Sequence, residues 1–377
     1  MRFTTYICFT SFLWVLGCSG AGGEELFEAQ TSTSSGGSSS DGVGGSSGDN
    51  VAGEAGSGSG GDGSTAGTAG QPQGGSGGTE PGGSGGEGQA GTGIGGDGGA
   101  GGDPGTGGTS GSTACYSEAY DPMAPIGDLK TGFQGWNWLP TALGILERRY
   151  PTGHFILDAE QNDYQLEYFV DTSSWEDFVW SLDTMVHEET HGWDFEHSQY
   201  GSHVYALTDA LHLEVPELQT WPRNTIPQYI HDGSTSMYDQ TYLTGEQGTY
   251  DAIFLFDELT AYGNGLATLT AVHEEIPPSI SARDGLAAHL LYLELYLKAG
   301  REHYPQMYAA LKANAAWQKL VRYEWARGHF WDGQAKPYTN LTIDADAIWA
   351  HVNEPANLDE IQQFTGQLPS EVACHPE

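Results

Sequence analysis

His187 and His191 stand four residues apart in the stretch MVHEETHGWDFEH (185–197), with Glu188 directly after the first. On a helix that spacing puts both imidazoles on one face, near enough to hold one tetrahedral ion. Glu188 projects to the side of that ion, where it can take a proton from an attacking water. The chemistry outlined is metal-assisted hydrolysis. It requires a third protein ligand and one position left open.

The element that must present these groups is a helix over 174–194. Ser174 is placed to cap it, with Asp177 three residues later. Trp175, Phe178, Leu182, Met185 and Trp193 recur at helical spacing and form an apolar face. This HExxH helix resembles the active-site helix of the zincin metallopeptidases. The resemblance implies a bound Zn2+, hydrolysis of a peptide or protein substrate lying across a cleft, and Glu188 as catalytic base. It also implies an α+β fold: a small sheet beside the HExxH helix, then a mainly helical C-terminal part.

Three residues compete as third ligand. Glu258 lies in a long apolar helix starting near Thr249, where a carboxylate is costly unless paired or solvated. Asp257 and Glu258 are neighbours, so one is expected to face inward and the other solvent. An inward Glu258 resembles the third ligand of the gluzincins, and it is the expected one here. By the same resemblance Tyr250 is the expected catalytic tyrosine over the ion, with Tyr262 as the alternative. The first competing ligand is His197, because HEETHGWDFEH resembles the metzincin motif and 234–238 loosely resembles a methionine turn at Met237 and Tyr238. Against it, Asp194 replaces the glycine that makes the motif's turn. The second is Asp251, in a stretch, GTYD, that resembles half of the aspzincin motif. Asp194 is also a candidate to orient a ligand imidazole.

Around these segments, 140–149 reads as a helix, and HFILDA (154–159) and YQLEYFV (164–170) read as short strands. HVYALTDALHLEV (203–215) suits further extended structure. Helices are expected at 281–299, 302–314, 315–327 and 343–351. A contrasting reading of the same chain is an extracytoplasmic binding module with a vestigial metal site. In that case Trp136, Trp138, Trp221, Trp317, Trp325 and Trp331 would line a groove.

The N-terminal third has a different composition. Residues 1–17 combine Arg2 with a short apolar run, as a secretory signal peptide does. Leu16-Gly17-Cys18 resembles the lipobox of bacterial lipoproteins. That implies a lipid on Cys18, and Ser19 after it implies the outer membrane or cell surface. Of the 95 residues from 19 to 113, 38 are Gly and Phe27 is the single aromatic. Such a segment buries too little to offset its ordering entropy, so 18–113 reads as a lipidated cysteine with a tether. Residues 114–377 form the candidate globular domain. It carries 39 acidic and 12 basic residues, near −27 with histidine neutral. That charge excludes nucleic acid, whose phosphates require clustered Lys and Arg. Cys115 and Cys374 stand at the two ends of this domain and, in an oxidising compartment, are expected to pair.

Overall fold

The computed structural model describes residues 115–377 except 232, 234 and 277–280. The signal peptide, Cys18 and the tether lie outside the described residues.

The described residues open with α1 (Gly127–Gly132), α2 (Trp138–Arg149) and α3 (Pro151–Ala159), then the long α4 (Trp175–His197). A hairpin follows, β1 (Ser202–Thr208) paired antiparallel with β2 (Leu211–Pro216), Tyr205 opposite Leu213. The remainder is helical: α5 (Ser236–Tyr242), α6 (Ala252–Ala271), α7 (Ala282–His303), α8 (Pro305–Ala313), α9 (Ala315–Ala335), α10 (Ala345–Val352), α11 (Pro355–Thr365) and α12 (Pro369–Cys374). The class is therefore mostly helical with one two-stranded sheet.

Two expected strands are not strands. HFILDA belongs to α3, which starts with Pro151 at its first position. The fixed φ of proline suits that position, and an apolar run this short fits either period. Ile156 and Leu157 are both fully buried along it. In YQLEYFV, Asp163 Oδ1 accepts the amide of Gln165 at 2.9 Å, and a single 3-10 turn covers Leu166–Tyr168. An aspartate turn of this kind curls the chain where a strand must extend. The sheet thus follows the HExxH helix instead of preceding it. The segment around Met237 and Tyr238, loosely like a methionine turn on the metzincin-like alternative, is helical, in α5.

α4 starts as its cap residues require: Ser174 Oγ accepts the Asp177 amide at 3.0 Å, and Asp177 carries two acidic-turn contacts back to Ser173 and Ser174. α6 begins three residues later than Thr249 because Asp251 caps it, accepting the Ile253 amide at 3.1 Å. Seventeen of its 20 residues are buried, so it is a central helix with neighbours on every side.

α4 and α6 lie directly against each other. Gly265 allows this, since a Cβ there would lie 2.2 Å from Asp183 Oδ1 on α4. Asn264 ties the elements: its Nδ2 donates to Thr190 Oγ1 on α4 at 3.1 Å and to the Ala206 carbonyl on β1 at 3.2 Å. Its Oδ1 accepts the Tyr150 hydroxyl at 2.9 Å and a guanidinium nitrogen of Arg327 from α9. Arg327 also donates to Glu118 at 2.9 Å. A buried guanidinium with this many acceptors is satisfied, and it locks α6, α9 and the segment around Glu118 together. Trp221, Trp317, Trp325 and Trp331 are fully buried core residues, so of the six tryptophans suggested for a groove these four are packing. Cys115 and Cys374 are disulfide-bonded across a sequence separation of 259.

Candidate metal centre

His187, His191 and Glu258 come together where α4 faces α6, each offering one ligand atom within 4.8 Å of the others. The two imidazole Nε2 atoms are 3.3 Å apart. Glu258 Oε2 lies 3.8 Å from His187 Nε2 and 3.7 Å from His191 Nε2. For a tetrahedral zinc with bonds of about 2.0–2.1 Å, ligand atoms stand roughly 3.3–3.4 Å apart. The triangle fits that ion with small adjustments. Glu258 Oε2 is moreover cut off from solvent and has no hydrogen-bond partner, a costly state for a carboxylate oxygen unless something else meets it.

Asp257 is the residue sequence reasoning misjudged. Both it and Glu258 face inward, since α4 crosses α6 so closely that positions 100° apart on α6 both meet it. Asp257 Oδ2 lies 2.8 Å from His191 Nδ1. That contact turns Nδ1 toward the carboxylate and Nε2 toward His187 and Glu258, so that loss of the Nε2 proton leaves its lone pair facing them. Asp194, the expected orienting residue, instead accepts the backbone amide of Ala206 at 2.8 Å and anchors β1 to α4. The neighbouring carboxyl of Glu258 was the available signal for Asp257: two adjacent acids in an apolar helix both need a reason to be there.

The electrostatics follow from burial. Burial, with His191 and His289 adding to it, holds His187 well below the usual imidazole range, so it stays a neutral donor. Burial works against a charge on His191 too, but Asp257, then Glu258 and Glu188, outweigh it and hold His191 well above its usual range. Burial pushes Glu258 up to about 7, against the opposing charges of His191 and Arg223. Glu188 is raised by burial and by Asp257, with His191 opposing, which brings a proton acceptor nearer to neutral pH.

Around the triangle stand aromatic rings. Tyr262, one turn after Glu258, meets His187 edge-on at 4.8 Å between ring centroids, and its hydroxyl is 2.8 Å from that of Tyr242. Buried His289 stacks behind Tyr262 at 4.3 Å. Tyr250 stacks on Phe254 at 4.5 Å, and the guanidinium of Arg223 lies 5.7 Å over it. Arg223 is buried, held by the Gln247 carbonyl and side chain at 2.9 and 2.7 Å, and its Nη1 has no partner. Nothing in the sequence marked this arginine.

His197 does not join the triangle. It remains within α4, stacked on Trp193 at 3.8 Å with Nδ1 2.9 Å from the Trp193 carbonyl. No turn follows His191 to bring it back. Asp251 is spent on capping α6.

Comparison with protein-family models, with curated proteins and with solved structures finds no match to this chain.

Proposed function

We propose that this protein is a zinc-dependent peptidase of the zincin kind, carried on the cell surface by a lipid on Cys18. The observation that carries the reading is the orphaned Glu258 Oε2, aimed at two imidazole nitrogens that already stand at the separation a tetrahedral ion imposes. His187, His191 and Glu258 would hold the zinc, which when bound supplies Lewis-acid polarisation of the scissile carbonyl. Glu188 takes the proton from the water that attacks that carbonyl and passes it to the leaving amine. Asp257 keeps the His191 ring in the orientation a ligand needs. Tyr262 packs directly against His187, whereas Tyr250 packs on Phe254 and Arg223, which supports Tyr262 as the hydroxyl that steadies the developing oxyanion. The position of His197 within an unbroken helix favours Glu258 over the metzincin-like alternative.

The test is metal content and turnover of a mixed peptide library, measured on the same preparations. Glu188→Gln removes the proton acceptor and no ligand, so zinc is retained and hydrolysis is lost, by about 100-fold or more. Glu258→Ala lowers zinc occupancy, whereas His197→Ala and Asp251→Ala leave it intact. Absence of metal from the purified wild type, together with failure to bind added zinc, rules the proposal out.

A further inference from the structure

Away from the triangle, α4 carries a second acidic feature. Glu189 projects about 100° round the helix from Glu188. Its side chain is 1 % exposed and neither carboxylate oxygen has a hydrogen-bond partner. Glu160, at the end of α3, is 7 % exposed. The two carboxylates look onto one gap, for a Cβ built on Gly192 would stand 3.6 Å from Glu189 Oε2 and 4.0 Å from Glu160 Oε2. The missing side chain of Gly192 leaves that gap open. Asp163 sits one turn beyond Glu160, its amide donating to the Glu160 carbonyl at 2.8 Å, and Glu196 lies two turns after Glu189 along α4. Among the described residues no lysine or arginine pairs with any of these four acids.

Two buried carboxylates facing each other without a cation are costly. Every donor at hand is a hard oxygen, from flexible side chains of which two lie at a partly open rim. That donor set suits Ca2+, which accepts carboxylates, carbonyls and waters in an irregular shell. It suits a second zinc less well, for no thiolate is among the donors and His197, the imidazole nearest to Glu160, is stacked on Trp193 with its Nδ1 at the Trp193 carbonyl. We propose that Glu160 and Glu189 bind a calcium ion, with Asp163 and Glu196 at its rim, so that the ion clamps the end of α3 to the HExxH helix. Glu189 lies between His187 and His191 in sequence but on another face of the helix. The calcium therefore steadies α4 from behind while touching none of the three zinc-ligand candidates, and the proposal stands whether or not His187 holds a metal.

The experiment uses the full chain, cleared of loosely bound cations on a chelating resin, with its zinc content measured before and after. Calcium chloride is titrated while the thermal midpoint is followed. In parallel, terbium luminescence is excited through tryptophan. The expected result is a rise of several degrees at saturating calcium and a terbium signal that calcium displaces, with zinc content unchanged. Glu189→Gln and Glu160→Gln each abolish both responses. Glu214→Gln, an exposed position on β2, keeps them. Should Glu189→Gln fail to fold, Glu160→Gln decides. No calcium response in the wild type overturns the proposal, as does a response undiminished in both variants. Glutamine variants more stable than the wild type at every calcium concentration also overturn it, since they point to a proton shared between the carboxyl groups.

Discussion

Asp257 bears on the proposed metal centre through one contact, the 2.8 Å bond to His191 Nδ1. Removing its charge while keeping its shape separates orientation from ligation. Asp257→Asn is expected to weaken zinc binding by about 10- to 100-fold, as loss of an orienting carboxylate does elsewhere. Competition dialysis against a chelator of known affinity measures it, and an unchanged affinity would show that His191 needs no such partner. The same residues set the pH dependence. Glu258 takes its proton at about 7 when no metal is present, and His191 is held above its usual range. Both protons must leave before zinc is bound. Zinc affinity is therefore expected to fall by about tenfold per pH unit already where the raised His191 gains its proton, and by a further tenfold per unit below about 7, where Glu258 is protonated as well. Affinity flat from pH 8 to pH 5 would contradict the assignment of Glu258 as a ligand.

At the scale of elements, the centre depends on how closely α6 approaches α4. Gly265 sets that distance, with Asp183 directly across from it. Asp183 is itself buried, pushed up to about 7 by desolvation and by the charge of Glu188, so it has little room to move. Gly265→Ala is expected to cost about 1–3 kcal/mol, as overpacking of a close interface does, even though alanine is the better helix former. Urea unfolding gives the number. Because the strain falls at Asp183, one turn before His187, zinc affinity should fall along with stability. A neutral or stabilising substitution would mean that the helices separate freely.

For the whole domain, Cys115 and Cys374 join its two ends. The amide of Tyr116 donates to the Cys374 carbonyl at 2.9 Å, so the termini are held by backbone as well as by sulfur. The loop-entropy relation gives roughly 5 kcal/mol as an upper bound for a closure of this length. Cys115→Ala with Cys374→Ala is expected to lower stability by about 2–5 kcal/mol while leaving zinc content near that of the wild type, because the centre lies on α4 and α6. Calorimetry with parallel metal analysis checks both halves. Loss of zinc with the bridge would show that the two ends of the domain support the centre.

The sequence by itself determined the parts of this protein that depend on local rules. The His187–Glu188–His191 spacing, the Ser174 cap, the long apolar helix bearing Glu258 and the helices from α7 to α10 could be read because helical periodicity and capping act within a few residues, whereas the short α11 and α12 were not read. The cysteine pair was legible from position and compartment. Tertiary structure decided the rest. Whether HFILDA became helix or strand depended on its neighbours, since a short apolar run satisfies either period. Whether Asp257 or Asp194 oriented His191 depended on the crossing of two helices, 66 residues apart in sequence at that contact. The facing pair Glu160 and Glu189 arises only where α3 ends against α4. A carboxylate's partner is fixed by distance in space, and local pattern carries no record of which distant residue will close that distance.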